Sequence, residues 1–515
     1  MRIFACCYSP NYVDEELEYD KGDQKKKKGS VPRCCSSSKV RDDRTSSRRI
    51  STIAGGRLLP NELALGGYDS KFGSSVTGDI YRPPTDKSNK FGKDKKSKAE
   101  KKINMDTKTL DYSNKNLYDF SSKVTNVRKS AKHINLSSNN LSTIPESLAS
   151  ENTMLTMINL RKNSLLELPD NISKFERLKK LDVSENSISF LSNEIVKCFS
   201  LKSLNISKNP LIEFPNVVCD ILSLNELKIA YCQISEVPKQ IECLENLQLL
   251  ILSNNNIFDL PIEINKLKNL KILDVSNNNL DLIPACADGL VELEELHLQS
   301  NKIRDFQDSL NNPNKLHKLN IGQNFISKIE NCLNGCEELV EFDISSNLFT
   351  VIDFEFIKMP KLRILRISGN LIHFLDNSSL IKLENLSELK ASYCGLESIP
   401  ETIKDLKQLT KLNLTGNKIA ELNVNLIQSH PSLQVLVLRD NKLRSLPENV
   451  GNLTNLVELD LRDNLLQVFP QSLENLIQTC TVRLKDDYAN QKLLEHEYQG
   501  VRSLVLEKDK NKKKK

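Results

Sequence analysis

The 515-residue chain has no tryptophan, and aromatic residues make up only 5% of it. Its core must therefore come from aliphatic side chains, chiefly leucine and isoleucine packed in layers. Long apolar runs are also missing. No stretch approaches the roughly 18 residues of a membrane-spanning helix, and the apolar stretch from Ile3 to Tyr8 is too short for a secretory signal. Thirteen cysteines are present, yet those in the body are scattered without clustered caps, which points to a reducing compartment and a cytoplasmic protein. No G-x-x-x-x-G-K-S/T loop, H-E-x-x-H, paired C-x-x-C or G-x-S-x-G occurs. No catalytic residue, metal ligand or cofactor site is therefore assigned, and the chain is not read as an enzyme.

Charge is partitioned. Residues 1–102 carry 23 Lys/Arg against 14 Asp/Glu and residues 501–515 carry 7 against 2, so both ends are basic and the body between them is acidic. Residues 1–105 alternate Lys runs, Ser clusters and Gly pairs without helical or strand period, the composition of a disordered leader.

From Leu110 a pattern L-x-L-x-x-N-x-L takes over, as at Ile134-Leu136-Asn139-Leu141 and Ile158-Leu160-Asn163-Leu165. It returns every 23 or 24 residues, through Leu204, Leu250, Leu296, Leu365 and Leu459 to a degenerate unit at Val482, giving 17 expected strands. The alternating L-x-L pair suits a strand with one buried face. The recurring Asn, for example Asn255, Asn278 and Asn301, has an amide able to satisfy backbone groups at a turn, so stacked units form an Asn ladder. Cys232 and Cys394 hold that slot in two units and read as core, while Lys115 and Asp487 hold it at the two ends. A turn that often carries proline follows, as at Pro215, Pro238 and Pro261, then a short apolar return expected to be helical or 3-10. The fold class is α/β: a solenoid over residues 106–487 with a parallel concave sheet, and a cap with a Lys-rich tail over 488–515.

These units, with the intact Leu260-Pro261-x-x-Ile264-x-x-Leu267-x-Asn269-Leu270, resemble the intracellular Ras-group leucine-rich-repeat family, which includes scaffolds of the Ras and Raf pathway. The resemblance covers residues 108–487. It implies a non-catalytic scaffold for signalling proteins such as Ras-type small GTPases, kinases or phosphatases; the alternative is a structural or cytoskeletal adaptor.

On each strand the residues around the L-x-L pair face the concave side and are free to vary with a partner. This reading selects Lys228 and Tyr231, then Arg366 with Lys390 and Tyr393 on adjacent strands, and Arg439 and Arg462 among Asp440, Asp460 and Asp463. Tyr and Arg are frequent anchors of protein interfaces. His297 beside Glu295 has neither nucleophile nor second ligand and reads as solvated.

In the leader, Cys6-Cys7 and Cys34-Cys35 flank the Lys25–Lys28 run, and palmitate beside a polybasic patch would supply the two signals that peripheral attachment to the inner face of an anionic plasma membrane requires. Arg48-Arg49-Ile50-Ser51 offers Ser51 as a phosphorylation candidate whose charge would oppose that attraction. The lysines alternatively act as a nuclear signal. No aromatic interleaving supports a nucleic-acid groove, so no specific nucleic acid is expected.

Overall fold

The computed structural model describes residues 109–118, 131–144, 148 and 154–485, with breaks at 283–288, 306–314, 330–332, 334, 352–358, 376–379, 425–426, 428–429 and 431, and the backbone of 504–507. The leader residues Cys6, Cys7, Cys34, Cys35 and Ser51, and the ladder residue Asp487, lie outside them.

Each repeat contributes one short strand, from Thr109–Asp111 to Thr481–Lys485, and each strand pairs in parallel with the next. All 17 expected repeat strands are present. A further strand, Leu504–Glu507, lies within the segment read as a cap, pairs in parallel with Val482–Lys485 and brings the sheet to 18 strands. Its sequence, Leu-Val-Leu-Glu, is not followed by the ladder Asn that marks most of the other units.

Pairing is leucine to leucine. Leu227, Leu250 and Leu273 sit in register on successive strands, and all three are buried. Two residues on, Ile229, Leu252 and Val275 form a second buried column. On the return side, 3-10 turns run over Asp170–Lys174, Asn193–Lys197, Asn216–Asp220, Lys239–Cys243, Ile262–Lys266 and Glu401–Asp405, each burying its third residue. Proline precedes five of these six turns, because its fixed φ suits the entry and its missing N–H leaves no donor unpaired. Where proline is absent, the Ser192 side chain accepts a bond from the Glu194 N–H. Strands stack at about 4.8 Å and helical turns need more width, so the sheet lines the inner side of the coil.

The Asn ladder holds the loops. Asn278 Nδ2 donates to the carbonyls of Leu252 (3.0 Å) and Val275 (3.0 Å), while its Oδ1 accepts from Ile257 N (3.0 Å). Each amide thus ties its own turn to the preceding repeat. In the slots held by cysteine, the Cys394 thiol reaches the Ile367 carbonyl at 3.3 Å and the Cys232 thiol the Ala230 carbonyl at 3.5 Å. Burial pushes the Cys198 thiol up to about 11 and those of Cys219, Cys336 and Cys480 up to about 12, and it also raises Cys232 and Cys394. These are packing groups.

Candidate protein-binding face

Among the described residues, the residue before each ladder position adopts a left-handed backbone. The slot runs through Lys162, Glu185, Lys208, Tyr231, Asn254, Asn277, Ser300, Gln323, Ser346, Tyr393, Asp440 and Asp463, with φ between 53° and 59°, and is held by Gly369 and Gly416 (each φ 69°) in two repeats. This conformation turns the chain out of the strand and lifts the side chain at the edge of the sheet. No single residue marks it in the sequence, because side chains as different as Lys, Glu, Tyr, Ser and Asp fill the slot and only the backbone is shared.

Along repeats three to six this edge forms a continuous chain of contacts. Arg161 Nη2 meets Glu185 Oε1 at 2.9 Å, Lys208 Nζ meets the same oxygen at 3.0 Å, and Lys208 Nζ lies 5.4 Å from the centre of the Tyr231 ring. Both cations hold the Glu185 carboxyl below the usual carboxylate range. Lys228, on the strand that leads to Tyr231, is half-buried and makes no ion pair among the described residues.

Arg366 and Lys390 do sit opposite one another on adjacent strands. They do not, however, form a free basic patch. Arg366 is paired with Glu341, which also draws Lys318 to 3.7 Å, and Lys390 Nζ bonds Glu388 Oε1 at 3.0 Å. Tyr393 leaves this pair: its ring lies over Gly416 of the next repeat, so closely that a Cβ on that glycine would fall 2.1 Å from it.

There the ring borders an open depression of about 710 Å³, lined by Tyr393, Thr415, Val437, Arg439, Asp440, Asp460, Arg462 and Asp463. Arg462 grips the buried Asp460 in two-pronged fashion, Nε to Oδ1 at 2.9 Å and Nη2 to Oδ2 at 2.6 Å, and this carboxylate raises the guanidinium pKa. Arg439 Nε bonds Asp463 Oδ2 at 2.8 Å. Asp440 is exposed and has no such partner among the described residues. The two neighbourhoods chosen from the sequence are therefore redistributed, with Tyr393 belonging to the second.

Two further features departed from the sequence reading or escaped it. His297 is not freely solvated: its side chain is 17% exposed and its Nε2 lies 3.2 Å from Glu295 Oε2, a contact that holds the Glu295 carboxyl low. Phe325, Leu348 and Leu371, each following a ladder Asn on successive repeats, are about half exposed, and exposed Val351 and Phe374 come three residues after the last two, so this edge is apolar. Reading the position after the Asn down the repeats would have exposed this column. Among the described residues no group of His, Cys, Asp or Glu could hold a metal, and no helix is long and apolar enough to cross a membrane.

Comparison with known proteins agrees with this geometry. Models of the leucine-rich repeat match residues 130–150, 153–211, 337–396, 360–419 and 407–466, and a leucine-rich repeat region model matches 216–352. The chain is a leucine-rich-repeat solenoid. Among curated relatives, a probable serine/threonine-protein kinase of Dictyostelium discoideum is 37% identical over 103 residues, 19% of this chain and 3% of the kinase. A mouse leucine-rich repeat and calponin homology domain-containing protein is 40% identical over 81 residues, 16% of this chain and 11% of that protein. Both likenesses thus span a small part of the relative. Among solved structures, a plant peptide hormone receptor in complex with its peptide superposes with a TM-score of 0.58 at 24% identity, over 74% of this chain and 64% of the receptor. That likeness is one of fold.

Proposed function

We propose that this leucine-rich-repeat chain is a non-catalytic scaffold that holds signalling proteins, of the small GTPase, kinase or phosphatase kind, against the inner face of its sheet. Solenoids of this build offer extended concave surfaces suited to proteins rather than pockets suited to small substrates. The observation that carries the reading is the sheet edge itself. Exposed Tyr231, Tyr393 and Asp440 stand on a rigid left-handed backbone slot, with exposed Arg439 beside Asp440, so these side chains are held out to water at low ordering cost. The basic leader, with its paired cysteines, adds a peripheral hold on an anionic membrane.

The test is proximity labelling from the intact protein beside a form with Lys228, Arg366, Lys390, Tyr393 and Asp440 all changed to Ala. Loss of a common set of signalling proteins from the variant is the expected outcome, with recovery dependent on nucleotide state where the partner is a GTPase. Identical captures from both forms would rule out the concave face as the binding surface. Cosedimentation with filaments in place of such captures would favour a cytoskeletal adaptor.

A further inference from the structure

The strand bearing Tyr231 and the strand bearing Tyr393 are near copies: Glu226-Leu-Lys-Ile-Ala-Tyr-Cys232 and Glu388-Leu-Lys-Ala-Ser-Tyr-Cys394. They lie seven strands apart, roughly 34 Å along the sheet at 4.8 Å per strand. Both tyrosines occupy the left-handed slot, with φ of 56° and 53°, and both are more than half exposed. Their surroundings differ in one decisive way.

At Tyr231 the slot of the preceding repeat holds Lys208, whose ammonium lies 5.4 Å from the ring centre and 3.0 Å from the Glu185 carboxylate. A cation is thus held between an aromatic face and a carboxylate by the chain itself. At Tyr393 the preceding slot holds Gly369, which has no side chain to offer, and the following slot holds Gly416, over which the ring lies. Beyond Gly416 the next slot holds Asp440, which lines the same depression as the ring. The two arginines of that depression are engaged by Asp463 and Asp460. Counting side chains, three carboxylates face two guanidinium groups, leaving one negative charge uncompensated there.

We propose that the depression between Tyr393 and Asp440 receives a lysine or arginine side chain of a protein partner, in the role that Lys208 fills for Tyr231. This rests on the scaffold reading and sharpens it by naming the partner's anchor. Thr415 supplies a hydroxyl and Val437 an apolar wall for the methylene stem, which long cationic side chains bury readily. The carboxylate lies on the following side of the ring rather than the preceding one, so the cation sits between Tyr393 and Asp440.

The probe is a set of short peptides, Gly-Ser-Lys-Ser-Gly and Gly-Ser-Arg-Ser-Gly against Gly-Ser-Glu-Ser-Gly. They are titrated into the full chain carrying isotope-labelled tyrosine, with the Tyr393 signal assigned through Tyr393→Phe. The basic peptides are expected to move the Tyr393 ring signal and leave Tyr231 still, and Asp440→Asn to weaken that response by up to about five-fold. Lys208→Gly should make the Tyr231 ring respond as well. An equal response to the glutamate peptide, no response at Tyr393, or silence of Tyr231 in Lys208→Gly would each overturn the assignment. A response seen only after Lys512, Lys513, Lys514 and Lys515 are changed to Gln would also overturn it, because the cation would then come from the chain's own tail. Should the peptides fail while proximity labelling still depends on the concave residues, the scaffold reading stands and only the basic anchor falls.

Discussion

A ladder amide is worth more than its size. Asn278 fills its bonds entirely with backbone groups of two repeats, so removing it strands a buried N–H and two carbonyls, each costing about 1–3 kcal/mol when left unpaired. Asn278→Ala is expected to lose about 3 kcal/mol in urea denaturation, and Asn278→Cys less, since Cys394 already serves that slot through its thiol. Buried His430 is a second residue with a defined effect. Its Nε2 bonds the Leu406 carbonyl at 2.8 Å, its Nδ1 accepts from Leu433 N at 3.1 Å, and burial lowers its pKa. The ring is therefore neutral when folded, whereas the unfolded chain takes up a proton below about pH 6.5. Stability is complete above that value and falls as pH drops through it, by at most about 1.4 kcal/mol per pH unit. Melting curves from pH 7 to 5 should show this loss, and His430→Leu should flatten it; an equal slope in both would place the titration elsewhere. The thiols of Cys198, Cys219, Cys336 and Cys480 should resist alkylation at pH 8 until denaturant opens the fold, read by mass spectrometry.

The repeat is the element of this protein, and most of it was legible. Leucine spacing, the ladder Asn and the proline-led return each follow from a period that the backbone enforces at every turn. The left-handed slot was not legible, since Tyr, Lys, Ser, Gln and Asp all fill it and no side-chain pattern marks it. For the same reason the sequence placed Tyr393 with Arg366 and Lys390, its neighbours by strand, whereas the missing side chain of Gly416 draws the ring the other way. Gly416→Asn separates the two causes. Asn254 and Asn277 already occupy this slot at φ of 58° and 54°, so the backbone accepts asparagine, and the atoms nearest the new Cβ all belong to the Tyr393 ring. Pushing the exposed ring off its rotamer should destabilise the variant by about 0.5–1.5 kcal/mol, and adding Tyr393→Ser should recover most of it. A penalty that survives the second change would trace to the backbone instead.

At the scale of the molecule, each repeat contacts only its neighbours, so stability is a sum of units and interfaces, and a site is as local as the repeats that build it. Every residue lining the depression lies between Tyr393 and Asp463. Removing residues 249–271, one whole unit by the register of Leu249 with Ile272, lets the Glu226 strand stack on the Ile272 strand, with the Asn278 amide available to the turn after Cys232. Such a chain should fold, lose denaturant sensitivity in proportion to the surface removed, and keep its Tyr393 response to lysine peptides. Removing residues 411–434, the unit between the register partners Lys411 and Val435, should also leave a folded chain. It deletes Thr415 and Gly416, however, and stacks Tyr393 directly against Asp440, closing the gap in which a cation is held. Paired urea melts and peptide titrations on the two deletions distinguish the cases: equal folding with unequal binding is expected, and retained binding in the second would show that the depression does not depend on the glycine gap.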